Sequence, residues 1–174
     1  RPATMEIRPL DPERDAEAIA AVYRPYVTDT DISFEEEAPT AADMASRLAR
    51  FTRRVPGFVM VAPDGRLAGY CYTHPWKSFA GYRDTLETTV YVALGFERRG
   101  VGRALMERLI GECRSRGVVA LIACITAGNR ASIILHEKLG FSQASHFEAV
   151  GRKHGRYLDI VDYQLQLKAT DTQR

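Results

Sequence analysis

The sequence predicts one α/β domain, a mixed sheet with helices on both faces, and three observations predict it. Strand-like and helix-like segments follow one another as strand, two helices, strand pair, then strand, helix, strand, helix and closing strands, an order that layers helices against a sheet. The turn Pro63-Asp64-Gly65 joins two β-rich runs, so an antiparallel hairpin lies mid-chain and disfavours a flavodoxin-like or Rossmann order. With 174 residues, 45% hydrophobic and 26% charged, the chain suits a single compact core.

Each element has its own signal. Ile7 to Leu10 reads as a short strand, and Asp11-Pro12-Glu13 marks a helix start by its capping acid and early proline. Ile19, Val22, Tyr23 and Tyr26 then form one stripe of an amphipathic helix. Thr28 to Thr40 is an irregular polar connection, and a second helix runs from Ala41 to about Arg54. Phe58 to Ala62 and Leu67 to Thr73 form the hairpin, and Thr85 to Val92 is a strand rich in β-branched and aromatic residues. Val101, Leu105, Leu109 and Cys113 carry a helix that stops at Gly117, and Val118 to Ile125 is an apolar run suited to a strand buried on both faces. Asn129 caps a helix that Gly140 ends, and strands follow at about 145–150 and 157–167. The domain spans residues 5–167. Residues 1–4 read as a remnant ahead of Met5, and 168–174 as a polar tail.

Charge and cysteine usage exclude several classes. The net charge is only +2, too small a bias to imply nucleic acid or membrane binding. Neither a long apolar run nor a secretory leader is present, which implies a soluble, cytoplasmic protein. Cys71, Cys113 and Cys124 are too few and too widely spaced for a disulfide framework or a zinc site; they read as reduced, buried thiols, and no metal is expected.

The segment Arg98-Arg99-Gly100-Val101-Gly102-Arg103 carries the main functional signal. It opens a helix, so backbone N–H groups and the positive end of the helix dipole gather there, and its arginines add charge. A pyrophosphate fits such a spot, although solvated arginines on an ordinary turn would read the same. The lysine-bearing nucleotide loop is absent, and the third position after Gly102 is Leu105 where a dinucleotide fingerprint needs glycine, so ATP and NAD lose support.

These residues resemble the pyrophosphate loop of the GNAT N-acetyltransferases, with Glu97 where glutamine is common. Asn129-Arg130-Ala131-Ser132-Ile133 and the His136 to Phe141 segment are similar to that family's second coenzyme-contacting helix. Pro75-Trp76-Lys77, Gly81-Tyr82-Arg83, the 86–92 run and Gly151 to Asp159 resemble the phosphinothricin and methionine sulfone or sulfoximine acetyltransferases within it. The resemblance covers nearly the whole chain. It implies a mostly antiparallel central sheet, acetyl-CoA as cosubstrate, a small amino-acid-like amine as acceptor, and a homodimer.

It also implies roles. Glu87, at the head of the strand before the loop, would take the amine proton directly or through water, since a free amine is largely protonated near neutral pH. Without the resemblance, Glu87 reads as a solvated or salt-bridged acid. His136 lies on the core-facing stripe of its helix and fits either a hydrogen-bonded core histidine or an acid, base or positioning group. Many family members have tyrosine there, and the departure leaves the acid unassigned. Val90, Tyr91, Val92 and Asn129 would contact the pantetheine arm, Arg98, Arg99, Gly100, Val101, Gly102 and Arg103 the pyrophosphate, and Thr89 and Ser132 would also bind the coenzyme. Phe34, Trp76, Lys77, Tyr82, Arg83, His154 and Tyr157 would line the acceptor pocket, each also readable as core or surface.

Other readings remain open at this level. The same fold acts on peptide N-termini, lysines or polyamines, and Glu35-Glu36-Glu37 is the polyamine reading's sole support, a run equally suited to a solvated face. A coenzyme-binding sensor without turnover, or a structural module, would also use this scaffold.

Overall fold

The computed structural model describes residues 4–168, so residues 1–3 and most of the expected tail, 169–174, lie outside the described residues. Strand β1 (Glu6–Pro9) leads into α1 (Pro12–Thr28), whose start is capped by the Asp11 carboxylate accepting from the N–H groups of Glu13 and Arg14. Helix α2 (Ala41–Thr52) opens with a reciprocal capping box between Thr40 and Asp43. The expected hairpin is β2 (Gly57–Val61) with β3 (Leu67–Pro75).

Next come β4 (Thr85–Val92), α3 (Val101–Ser115), β5 (Ala120–Thr126), α4 (Arg130–Lys138), β6 (Ser142–Lys153) and β7 (Arg156–Gln166). The seven strands lie in the order β1-β2-β3-β4-β5-β7-β6, and every pairing is antiparallel except β4 with β5. That parallel pair needs a crossover, which α3 supplies.

Alternation along β3 puts the helices on opposite faces. Tyr70 and Tyr72 join the aromatic cluster with Tyr91 and, through it, Tyr23 of α1. Gly69 and Cys71 face α3 instead; a Cβ on Gly69 would stand 2.9 Å from Val101, and the Cys71 thiol reaches the Leu105 carbonyl. The core therefore runs as two layers. Ile19, Val27, Met44 and Leu48 fill one, and Leu105, Met106 and Leu109 the other, all essentially inaccessible to solvent.

Two expectations need correction. Strand β6 is longer than the predicted 145–150 because register shifts at 143/145 and 147/151 let an outer strand with few buried residues continue without regular alternation. Cys71 and Cys113 are buried as expected, but Cys124 is exposed. The pairing of β4 with β5 ends at Glu87↔Ile122, and where β4 turns away one face of β5 opens at Cys124.

Candidate functional site

The split between β4 and β5 defines the site. Their ladder consists of Thr85↔Ala120, Leu86↔Leu121 and Glu87↔Ile122, after which the strands part. Ligands of open α/β sheets bind beyond the carboxyl ends of parallel strands, where such a crevice forms. Here it is a cavity of about 440 Å³, walled by β4 from Glu87 to Tyr91, β5 from Ala123 to Thr126, the start of α4 and the 32–35 segment.

The backbone of β4 has a direction. Ala93 N–H donates to Ala68, so Ala93 and, by antiparallel alternation, Tyr91, Thr89 and Glu87 turn their peptide groups toward β3. Those of Thr88, Val90 and Val92 turn toward the gap. The Val92 carbonyl already accepts the Tyr26 hydroxyl at 2.5 Å, whereas Val90 makes no backbone pairing on that side.

On the facing wall, the Asn129 Oδ1 accepts the Ser132 N–H at 3.3 Å as the cap of α4, which leaves its amide N–H groups free to donate. One turn on, His136 is 2% exposed, and its Nδ1 lies 2.7 Å from the Ser132 carbonyl. A carbonyl only accepts, so Nδ1 carries the proton and Nε2 holds a lone pair. Among the described residues Nε2 has no partner, yet no fully buried side-chain nitrogen or oxygen is left unpaired, so Nε2 opens onto the cavity that His136 lines. Burial pulls the imidazole pKa down, only partly countered by the Ser132 carbonyl, and the ring is held neutral.

Glu87 lines the other wall, with its Oε2 3.0 Å from the Nε2 of His74. This acid is thus partnered, in an ion pair whenever His74 is protonated, and the contact coexists with access to the cavity. The cavity also holds Phe34 beside Tyr23, Ser33 and Glu35. Glu35 departs from the expected solvated run: Arg47 donates to it at 2.9 and 2.5 Å and the Tyr23 hydroxyl also bonds it, while Glu36 and Glu37 are exposed as expected.

The cavity thus gathers Phe34, Glu87, Thr89, Val90, Tyr91, Asn129, Ser132 and His136. The loop lies beyond its lining. Gly95, Arg98 and Gly100 have positive φ, curling the chain so that α3 starts without any side-chain cap, its first N–H groups open. Val101 and Gly102 are buried beneath, and Arg98, Arg99 and Arg103 are exposed, with Arg103 paired to Glu107 and Arg99 over the Phe96 ring.

Six of the seven predicted acceptor residues lie outside the cavity lining. Trp76 and Tyr82 meet edge to face at 5.5 Å with the Lys77 ammonium 4.5 Å from the indole, outside the cavity lining. His154 sits in the β6–β7 turn, and Tyr157 is 68% exposed where a buried strand position was the competing expectation. Arg83 lines a second cavity of about 160 Å³ with Arg54 and Arg116.

Among the lining residues that sequence reasoning missed are Tyr23, Ser33, Glu35, Cys124, Thr126 and Ile160. Their positions depend on the split and on long-range packing, and the one local hint was the polarity of the 28–40 connection. Among the described residues no cluster of three or more His, Cys, Asp or Glu side chains is placed to hold a metal, and no helix is long and apolar enough to cross a membrane.

A split parallel pair beside an uncapped, arginine-rich helix start is the scaffold of the acetyltransferase class. The chain belongs to the acetyltransferase (GNAT) family, whose model matches residues 19–141. It is 38% identical over 160 residues to the L-methionine sulfoximine/L-methionine sulfone acetyltransferase of Pseudomonas aeruginosa, covering 90% of this chain and 91% of that one. It is also 38% identical over 159 residues to the phosphinothricin N-acetyltransferase of Alcaligenes faecalis, covering 91% and 81%. The solved phosphinothricin acetyltransferase of Sinorhizobium meliloti, in complex with acetyl-CoA, superposes with a TM-score of 0.90 at 31% identity, covering 97% of this chain and 95% of that one.

Proposed function

We propose that this enzyme transfers acetyl from acetyl-CoA to the α-amine of a small amino-acid-like substrate such as phosphinothricin, methionine sulfoximine or methionine sulfone. The observation that carries the proposal is one cavity lined by a carboxylate, Glu87, and a neutral imidazole, His136, beside the outward-turned peptide of Val90. When bound, acetyl-CoA supplies an activated thioester acyl group. The uncapped start of α3 with Arg98, Arg99 and Arg103 suits its pyrophosphate, and the gap-facing groups of β4 and the Asn129 amide suit its amide-rich arm.

The acceptor amine must lose a proton to become a nucleophile. Glu87 takes it, directly or through water, and the Nε2 lone pair of His136 accepts a hydrogen bond from the amine and orients it. The tautomer set by Ser132 favours this accepting role for His136 over that of a proton donor. The Val90 N–H is turned toward the same gap and donates to the acyl oxygen as negative charge grows there. Arg47 neutralises Glu35, the member of the 35–37 acidic run that lines the cavity, which argues against a polyamine acceptor there.

The activities for which the relatives from P. aeruginosa and A. faecalis are named support the substrate class, each relative being matched over most of both chains. A homodimer fits β6, a 12-residue outer strand on which Phe147 and Val150 are 48% and 58% exposed, and the mass in solution tests it.

The deciding experiment follows thiol release from acetyl-CoA with phosphinothricin, methionine sulfoximine, methionine sulfone, ordinary amino acids, spermidine and an N-terminal peptide, with Glu87→Gln run alongside. Turnover confined to the first three, and strongly reduced by the substitution, is the expected result. Turnover with spermidine or the peptide alone would overturn the acceptor class.

A further inference from the structure

Glu87 has a neighbour that the reaction so far leaves unused. His74 stands directly across from it in the β3–β4 register, and the two side chains meet at 3.0 Å. The other ring nitrogen, Nδ1, lies 3.0 Å from the Pro75 carbonyl. A carbonyl and an ionised carboxylate both only accept, so an imidazole between them satisfies both when each nitrogen carries a proton. The ring is held in place by Phe51, at 5.2 Å between centroids, and by Tyr72, at 6.4 Å. His74 does not line the cavity, whereas Glu87 does.

We propose that His74 is a positioning residue, an imidazolium that anchors the Oε2 of Glu87 from behind the cavity wall so that the carboxylate meets the acceptor amine in one fixed orientation. The proposal rests on the reading of Glu87 as the proton acceptor. His74 never touches substrate; it acts through Glu87 alone. The balance of forces on the ring agrees with a charged state: burial pulls the imidazole pKa down, but contact with the Glu87 carboxylate and the Pro75 carbonyl outweighs it and the net direction is up. A carboxylate left without this anchor would sample several rotamers, and each lost orientation lowers the fraction of encounters in which the amine proton can be taken.

A double-mutant cycle on the full-length enzyme tests this, with His74→Ala, Glu87→Gln and the pair compared for kcat and acceptor KM. We expect His74→Ala to lower kcat about tenfold with little change in acetyl-CoA KM, in line with loss of one charge-assisted contact. In the Glu87→Gln background the same change should have no further effect. His74→Gln, whose amide still donates, should recover part of the loss, and it carries the cycle should His74→Ala unfold on thermal denaturation. Wild-type kcat in both His74 variants, or an equal loss with and without Glu87, would overturn the positioning role and leave the base assignment standing. A wild-type rate for Glu87→Gln alone would instead remove the base assignment and this proposal together.

Discussion

The imidazole Nδ1 of His136 lies 2.7 Å from the backbone carbonyl of Ser132, one helical turn earlier, and this contact fixes which nitrogen faces the cavity. With Nε2 unprotonated and burial holding the ring pKa below its ordinary 6.5, the side chain is an acceptor across the neutral range. Proton binding at Nε2 should therefore switch off its accepting role. We expect kcat/KM to fall toward low pH with an apparent pKa below 6.5, and His136→Gln to lose that limb along with kcat on the order of 10²-fold. The stability sign agrees: because the folded pKa is depressed, the neutral ring contributes stability that is full above 6.5 and is lost as pH falls through the lower folded value. Denaturation midpoints of wild type and His136→Gln at neutral and mildly acidic pH check this second part.

Gly151 has no room for a side chain. A Cβ there would stand 2.0 Å from the Cε2 of Phe34 and 2.6 Å from its Cζ, so Gly151→Ala forces the ring out of the cavity wall. The strain should cost roughly 1–3 kcal/mol in stability. Because Phe34 lines the cavity at the end proposed for the acceptor, acceptor KM should rise about tenfold, one decade per ~1.4 kcal/mol of lost binding, while acetyl-CoA KM stays near wild type. Steady-state kinetics with each substrate varied in turn would read the difference.

What the sequence made legible was local. The β4–loop–α3–β5 succession, the Asn129 cap and the Gly140 stop each rest on residues adjacent in the chain, and they appear where periodicity and capping chemistry put them. Glu87 and His136 were named, and the cavity lining includes both. Glu35 could not be read, since its partner Arg47 comes from the next helix and its other contact, Tyr23, from the previous one. Cys124 was misread because its exposure comes from β4 leaving β5, an event that β5's own apolar composition does not encode. Arg83, Trp76 and Tyr157 were assigned to a pocket by resemblance alone, and within one chain they do not meet the cavity lining.

The loop arginines differ in how much they have to give. Arg103 is tied to Glu107 at 2.9 Å and Arg99 covers Phe96, whereas Arg98 makes no hydrogen bond or ion pair among the described residues. Arg98→Ala should therefore act mainly on coenzyme binding, raising acetyl-CoA KM about tenfold with kcat nearly unchanged, as expected for loss of one charge-assisted contact to phosphate. The penalty should shrink as salt rises and screens the wild-type attraction. Titration of both proteins with acetyl-CoA at low and high ionic strength separates this from a folding defect.

Lys153 is 3% exposed, and its ammonium donates to the carbonyls of Ser33 at 2.6 Å and Glu35 at 2.5 Å. It staples the 28–40 connection to the β6–β7 hairpin, so this cavity wall, proposed to face the acceptor, is held by a side chain far away in sequence. Lys153→Met keeps most of the volume but leaves two carbonyls without their donor, a loss of about 2 kcal/mol. For a chain of this size that corresponds to a melting temperature lower by about 4–8 °C. The wall residues Ser33, Phe34 and Glu35 should loosen with it, raising acceptor KM, while the α3 start, which Lys153 does not touch, keeps acetyl-CoA affinity intact. Thermal unfolding paired with the two KM values distinguishes this from a global effect. An unchanged acceptor KM alongside a lowered melting temperature would show that the wall keeps its shape without the staple.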